Sequence, residues 1–474
     1  MFARGMFANL LMLLTLSASS ASQAFAQDST PAAQPAAQPA PQTAAPQTPA
    51  PDAAADAADE PRKRPSFRIG GEAKIGIRHS DDEAWRLLRD FPPSFILPGE
   101  DGVYERTPSP GSSFEIQNVA LIGEGALTDG VDAMIRVHFY DLYNRNPTSS
   151  DDRVFIREAW IRIGHAFDKL EPISGTTGYL LVGQAPRFSK PLTRRLESYG
   201  LWTNAVARFE NPQIQLGGSF GKHIYWRTSV GNGNPLFMRD VNALAGDNGT
   251  PERVPNSKVP SVYGSGIVML YDAKAQDLNP NGKFEWGFGG GYAVSTDTFA
   301  LDVLGWAFGR ELAEEADLRG TYYGGDMDIF AGAPFALDGN DKIERGVNVD
   351  LMVGRVRAFG QYVDQKIAGL PRRGYEVEAA YRIPLNGLFL IGETPVLNWL
   401  QPVVRVSHVD NRFTAPLAFP APSFEWDWTK IDAGFRLGVT EHVDFTWEYN
   451  LNRAKAPNRT VEPNEMLATF RVGF

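Results

Sequence analysis

From Phe67 to the end of the chain, apolar and polar residues alternate in segments of about eight to twelve residues, the period of a strand with one apolar face. The first segment sets Ile69, Ala73, Ile75 and Ile77 against Arg68, Glu72, Lys74 and Arg78. The same alternation sets Ala133, Ile135, Val137 and Phe139 against Asp132, Arg136 and His138, and Phe284, Trp286, Phe288 and Tyr292 against Lys283 and Glu285. It sharpens late in the chain. Tyr375, Val377, Ala379, Tyr381 and Ile383 oppose Glu376, Glu378 and Arg382, while Ile431, Ala433, Phe435, Leu437 and Val439 oppose Asp432 and Arg436. Val443, Phe445, Trp447, Tyr449 and Leu451 then oppose His442, Asp444, Glu448 and Asn450. The pattern predicts an all-β protein. It does not say which face meets water: a soluble sandwich turns its charged face outward, whereas a membrane barrel turns its apolar face to lipid and lines its lumen with the charges.

The two ends of the chain decide between these. Met466, Ala468, Phe470, Val472 and Phe474 share one face of the last segment, which closes on an aromatic residue. That arrangement resembles the final strand of outer-membrane barrels, so Phe474 is expected to act as an assembly signal for the barrel assembly machinery. At the other end, Arg4 precedes an apolar run from Met6 to Leu16, and Ala24-Phe25-Ala26 has the small-x-small form of a signal-peptidase site. Residues 1–26 therefore read as a signal peptide. Its apolar run is about half of the ~20 residues that a membrane-spanning helix needs, and no later run is longer. The expected location is the outer membrane of a Gram-negative bacterium, in contact with lipid and lipopolysaccharide.

Residues 27–65 change in character. As far as Pro61 they are almost entirely Ala, Pro, Gln, Thr and Asp, a composition unable to bury a core, and they predict a disordered periplasmic segment. Contact with the cell wall and a plain spacer both fit it. Arg62-Lys63-Arg64 then leads into the barrel domain, expected over residues 66–474. Cysteine is absent, so no disulfide is available and strand closure must hold the fold. A mean hydropathy of −0.26 suits strands that are apolar on one face only. The net charge of −10 argues against nucleic acid as a partner.

About 400 residues, divided into strands of ~10 joined by alternating short turns and long loops, give about 16 strands, with 18 as the alternative. A barrel of that size leaves a water-filled channel. Gly438 to His442 reads as a short periplasmic turn, and Asp81–Gly111 and Arg239–Pro260 read as long external loops.

Between about residues 114 and 210 the sequence resembles a known family. Gln117-Asn118-Val119-Ala120-Leu121-Ile122-Gly123, Ala133 to Asp141, Phe155-Ile156-Arg157-Glu158-Ala159-Trp160-Ile161 and Leu181-Val182-Gly183-Gln184 are similar to early strands of the phosphate-selective porin O and P family. In that family a Pro-containing basic and aromatic segment follows. Here it is Ala185-Pro186-Arg187-Phe188-Ser189-Lys190-Pro191-Leu192-Thr193-Arg194-Arg195, which departs from the family in placing Ala185-Pro186 after Gln184. The resemblance implies a 16-stranded homotrimeric channel, constricted near this segment.

An anion channel would replace the hydration of its solute with arginine and lysine donors. The expected constriction residues are Arg187, Lys190, Arg194 and Arg195, and parity adds Arg136, Arg162, Arg227, Arg382, Arg405, Arg436 and Arg471 to the lumen wall. Asp132, Glu158, Glu376, Glu378, Asp432, Asp444 and Glu448 share the same faces, so a mixed, weakly selective lumen is the competing expectation. Trp160, Trp202, Trp226, Trp286, Trp306, Trp426, Trp428 and Trp447 suit either a lipid-facing girdle or a sugar-stacking track, with parity favouring the girdle for Trp286 and Trp447. The six histidines lack metal-ligand spacing, no phosphate-binding loop appears, and no cofactor is expected. Only Ser219 and His223 resemble a nucleophile and base; an outer-membrane hydrolase and a structural tethering barrel are the remaining alternatives.

Overall fold

The computed structural model describes residues 65–86, 98–102, 104–106, 111–141, 154–165, 173, 175–189, 195–198, 200–202, 210–233, 283–311, 341–367, 370–411, 427–455 and 460–474. The expected signal peptide, the Ala/Pro segment, Arg62-Lys63-Arg64, Lys190, Arg194, Trp426 and the loop Arg239–Pro260 lie outside these residues.

Sixteen long strands follow the alternating segments. They are β1 (Ser66–Ser80), β2 (Gly111–Thr128), β3 (Val131–Asp141), β4 (Phe155–Gly164), β5 (Gly178–Pro186), β6 (Glu210–Phe220), β7 (Ile224–Gly231) and β8 (Glu285–Ser295). The second half comprises β9 (Phe299–Glu311), β10 (Asp341–Val353), β11 (Val356–Ile367), β12 (Leu370–Tyr381), β13 (Trp399–Asn411), β14 (Asp427–Gly438), β15 (Val443–Lys455) and β16 (Glu465–Gly473). Each pairs antiparallel with its sequence neighbours. Closure comes from β1, which pairs with β2 from Ser66↔Ala126 to Ser80↔Gly111 and with β16 from Glu72↔Gly473 to Ser80↔Glu465. The ring therefore has no unpaired edge, which satisfies the backbone of every strand without water.

The polarity of the wall is inverted relative to a soluble protein. Ile69, Phe114, Ile163, Phe288, Val377 and Val404 on the outer face are each at least half exposed. Their strand neighbours pointing inward are polar and buried: Arg78, Gln117, Asp302, Glu376, Arg405, Lys430, Asp432 and Glu448. Exposed apolar side chains over an entire barrel have a favourable environment only in hydrocarbon. The chain is a transmembrane β-barrel of the outer-membrane kind, and the charged faces seen in the sequence are the lumen wall. Among the described residues no helix is long and apolar enough to cross a membrane.

The two ends of the barrel differ. At one end most connections are short: Asp129-Gly130, Gly221 to His223, Thr296 to Thr298, Gly354-Arg355 and Val439 to His442, with 165–177 and 382–398 as the two longer ones. Gly354 sits at φ 54°, the left-handed conformation that so tight a reversal demands. The opposite end carries the connections 81–110, 142–154, 187–209, 232–284, 312–340, 412–426 and 456–464, with Ala368-Gly369 as its one short link. By the usual asymmetry of such barrels the short-turn end is periplasmic.

Inside the barrel lies an apolar cluster. Phe188, Leu201 and Trp202 from the β5–β6 connection pack with Tyr225, Leu304, Trp306, Phe308, Val363, Val409 and Trp428. Trp306 and Trp428 are thus buried in the lumen, whereas Trp226 and Trp286 face outward at 37% and 44% exposure.

Candidate functional site

The site is the connection between β5 and β6. β5 stops at Pro186, which has no amide proton to continue the ladder. Its last two carbonyls, Ala185 O and Pro186 O, accept instead from Gln213 Nε2 and Gln215 Nε2 on β6. The connection then runs inside the barrel: residues 187–189 meet the wall at β8 and β10, and residues 195–198 meet it at β1, β12 and β15, across the interior.

Its first anchor is Arg187. The guanidinium donates to Glu344 Oε2 on β10 at 2.5 Å and to a carboxylate oxygen of Glu285 on β8. It also lies 4.4 Å from the ring centroid of Phe308 on β9, against which Phe188 packs at 4.9 Å. Lys342 Nζ stands 3.7 Å from Glu285 and 3.6 Å from Glu344. Burial alone would lower the arginine pKa, but the fields of Glu285 and Glu344 outweigh it and raise the pKa further above its ordinary value. Next along the chain, Ser189 O accepts from Asn348 Nδ2 at 2.7 Å, and Asn348 Oδ1 accepts from Trp306 Nε1 and Gln361 Nε2.

The second anchor lies on the other side. Arg195 Nη1 donates to Glu378 Oε1 of β12 at 2.7 Å, and Lys74 Nζ of β1 donates to Glu197 Oε2 at 3.0 Å. The Glu197 and Ser198 amides donate to the two oxygens of Glu448 on β15 at 2.9 and 2.7 Å. Arg405 on β13 donates to Ser198 O at 3.0 Å and to Asp432 at 2.8 Å. Leu201 N donates to Ser407 Oγ, and Trp202 Nε1 to His408 O. Between them Gly200 passes so close that a Cβ there would lie 2.1 Å from the Glu376 carboxylate. Buried charges are costly unless paired and hydrogen-bonded, and here the wall and the crossing segment supply each other's partners.

Away from the crossing segment, charges on the inner wall are paired as well. Arg136 meets Glu158 at 3.0 Å, Arg162 meets Asp132 at 2.8 Å, and Arg436 meets Asp444 at 2.9 Å. Arg471 reaches both Asp444 and Glu72. Arg162 and Arg471 keep 23% and 35% side-chain exposure, so they line open space while neutralised. Arg227 lies 5.5 Å from the Tyr225 ring centroid. Of the expected constriction residues, Arg187 and Arg195 are therefore in the crossing segment, but as ties to the wall. Glu344, Asn348 and Ser198, which complete those ties, were not singled out by the sequence. Their only sequence signal is their place on the polar face or in the Pro-flanked segment.

Ser219 and His223 make separate hydrogen bonds. Ser219 Oγ bonds to Thr177 Oγ1 at 3.0 Å and donates to Gly175 O. His223 Nδ1 bonds to Ala293 O at 2.9 Å, its ring stacked on Tyr292. Among the described residues no group of three or more His, Asp or Glu side chains is placed to hold a metal ion.

At the ring junction, Phe474 N donates to Gly71 O and Phe474 O accepts from Gly71 N, which fixes the end of β16 against β1.

No family model matches the chain. No curated protein matches it either. Among solved structures it is similar to the outer membrane channel DcaP of Acinetobacter baumannii, with a TM-score of 0.48 at 10% identity over 87% of this chain and 98% of that one. It is similar also to OprB of Pseudomonas putida, with a TM-score of 0.46 at 10% identity over 87% and 94% of the two chains. A third is OmpF of Salmonella typhi in complex with daunomycin, with a TM-score of 0.43 at 9% identity over 86% and 97%.

Proposed function

We propose that the protein is a passive channel through which small hydrophilic solutes cross the outer membrane. The observation that carries this reading is the crossing segment, tied by Arg187 on one side and by Glu197 and Ser198 on the other, inside a closed barrel whose inner wall is polar. A segment held in this way narrows a sixteen-stranded lumen without filling it, since such barrels are wide enough to hold an aqueous pore. Arg136, Arg162, Arg405, Arg436 and Arg471 make the wall polar, and their acid partners cancel most of its charge. Solutes then pass by size and polarity in the first instance.

Anion preference, including a preference for phosphate, is the finer reading. Its support is the basic sequence Arg187, Lys190, Arg194 and Arg195 between β5 and β6. Neutralising all four in a folded barrel, followed by measurement of the reversal potential across a chloride gradient, tests it. A shift toward cations supports an anion-biasing constriction, and an unchanged potential leaves a general-diffusion channel. We extend the proposal to a homotrimer assembled by the barrel assembly machinery through Phe474, with the segment 27–65 on the periplasmic side, where it can meet the cell wall. An SDS-resistant band at three times the monomer mass, lost on boiling, is the expected sign of the trimer.

A further inference from the structure

We propose that a hairpin in the connection between β12 and β13 is a lipid-binding element, which seats its apolar side chains in the periplasmic leaflet of the outer membrane. The short turns at this end of the barrel are polar, as in Gly221-Lys222-His223, Thr296-Asp297-Thr298 and Thr440-Glu441-His442. The connection 382–398 is different. From Ile383 to Asn398 it holds one charged residue, Glu393. It folds into two short antiparallel strands, Phe389–Ile391 and Thr394–Val396, reversed at Gly392-Glu393. Leu388, Phe389, Leu390 and Ile391 are consecutive, so they point to both faces of the hairpin. They are 58%, 62%, 68% and 70% exposed. An apolar run presented to water on both faces is an aggregation site, and an apolar medium that covers it removes the hazard.

The lipid-facing wall decides the occupant, because the hairpin is fixed to it. At the hairpin's base Asn386 and Leu397 take left-handed φ angles of 56° and 61°. That conformation is uncommon for a residue such as leucine and persists only where the surroundings hold it. Leu397 N and Asn398 N donate to Val439 O and Gly438 O at the end of β14, each at 2.8 Å, and Leu388 N donates to Leu397 O at 3.4 Å. The strands that carry the hairpin expose Val377, Tyr381, Val404 and Ile431 on their outer faces, so its apolar surface continues a face already in lipid. The height of that face agrees. On β1 the outer apolar row runs from Phe67 to Ile77, about 33 Å along the strand and about 25 Å along the membrane normal at a tilt near 40°. On β11 it runs only from Val356 to Tyr362, because Asp364 follows on the same face and pairs with Arg345, while Arg373 pairs with Asp410 beside it. This shorter row covers about 20 Å along the strand and about 15 Å along the normal, so the band in this sector falls about 10 Å short. A hairpin with strands of three residues supplies about 10 Å, at the periplasmic end where β12 and β13 are joined. Two strands leave outer backbone groups unpaired, which excludes the bilayer centre. A place at the boundary of headgroups and acyl chains covers the apolar side chains and leaves Glu393 in contact with water.

The proposal depends on the barrel and its membrane and is independent of conduction. The chain has no cysteine, so single thiols can be placed at will. Leu390→Cys and Ile391→Cys report the two faces of the hairpin, Val404→Cys the lipid-facing wall, and Lys222→Cys a polar periplasmic turn. Each full-length variant is labelled with a nitroxide and refolded into phosphatidylcholine vesicles, and heat-modifiable mobility establishes that it is folded. Electron paramagnetic resonance then reads collisions with oxygen, which concentrates in hydrocarbon, and with a polar nickel chelate, which stays in water. The expected oxygen-to-chelate ratio at both hairpin positions exceeds that at Lys222 by at least about tenfold and lies nearer that at Val404. Adding Leu388→Ser/Phe389→Ser/Leu390→Ser to Ile391→Cys should return its ratio toward that at Lys222. A ratio at the hairpin equal to that at Lys222 puts it in water and overturns the proposal. Few collisions with either reagent place a second copy of the chain on the hairpin and overturn it too, and an unchanged ratio in the serine background assigns the insertion to the label alone, with the same consequence.

Discussion

Removing Arg187 should release one end of the crossing segment while leaving the barrel closed. In Arg187→Met the side chain still packs on Phe308, but Glu285 and Glu344, with side chains 5% and 1% exposed, lose their shared guanidinium. Breaking a buried pair from one side costs about 3–5 kcal/mol. Lys342, less than 4 Å from both carboxylates, softens that cost toward the lower bound. About 3 kcal/mol raises the population of the detached segment by roughly a hundredfold, at 1.36 kcal/mol per factor of ten. The absence of cysteine from the chain allows a direct assay. Ser189→Cys introduces a single thiol at a side chain only 2% exposed, and Asn348 bonds the backbone carbonyl there, so the substitution keeps that contact. Modification by a charged thiosulfonate then reports how often the segment detaches. Adding Arg187→Met should speed it by about two orders of magnitude, with Arg187→Lys intermediate. The arginine pKa is raised in the folded state, so its share of the stabilisation is complete at every pH below the ordinary arginine range and is lost only above it. After correction for thiol ionisation, the Ser189→Cys rate should therefore not rise between about pH 7 and 9. Equal rates with and without Arg187, in barrels shown to be folded, would refute the anchoring role.

Other consequences concern closure and assembly. A Cβ at Gly71 would lie 2.3 Å from Phe474 Cζ, whereas one at Gly360 on the outer wall meets nothing within 4 Å. Gly71→Val should therefore lower the yield of heat-modifiable barrel, and Gly360→Val should not; equal yields would mean that the β1–β16 junction tolerates displacement of the ring. Phe474→Ser should reduce the folded outer-membrane population in a pulse-chase far more than Lys222→Ser in the β6–β7 turn, and equal folded yields would remove Phe474 as an assembly signal. Deleting residues 27–61 should leave single-channel conductance unchanged; a changed conductance would assign that segment a part in the pore.

The strands were legible because one rule governs them all. An apolar outer face and a polar inner face recur with period two, and Ile69 to Ile77, Ile431 to Val439 and Val443 to Leu451 show it without ambiguity. The charge balance of the lumen was less legible, since parity gives a residue its face but not its opposite number. Asp132 stands directly across from Arg162, Asp432 from Arg405, and Asp444 from Arg471, and only the register makes these pairs. The crossing segment announced itself through Pro186, Pro191 and its basic residues, yet what Arg187 does depends on Glu285 and Glu344, 98 and 157 positions away.

Single-channel recording in planar bilayers tests the central claim most directly. Purified, heat-modifiable barrel should insert in discrete, ohmic current steps in potassium chloride, and Arg187→Met should raise the current noise as the crossing segment detaches. Folded protein that inserts into the bilayer without conducting would contradict the account.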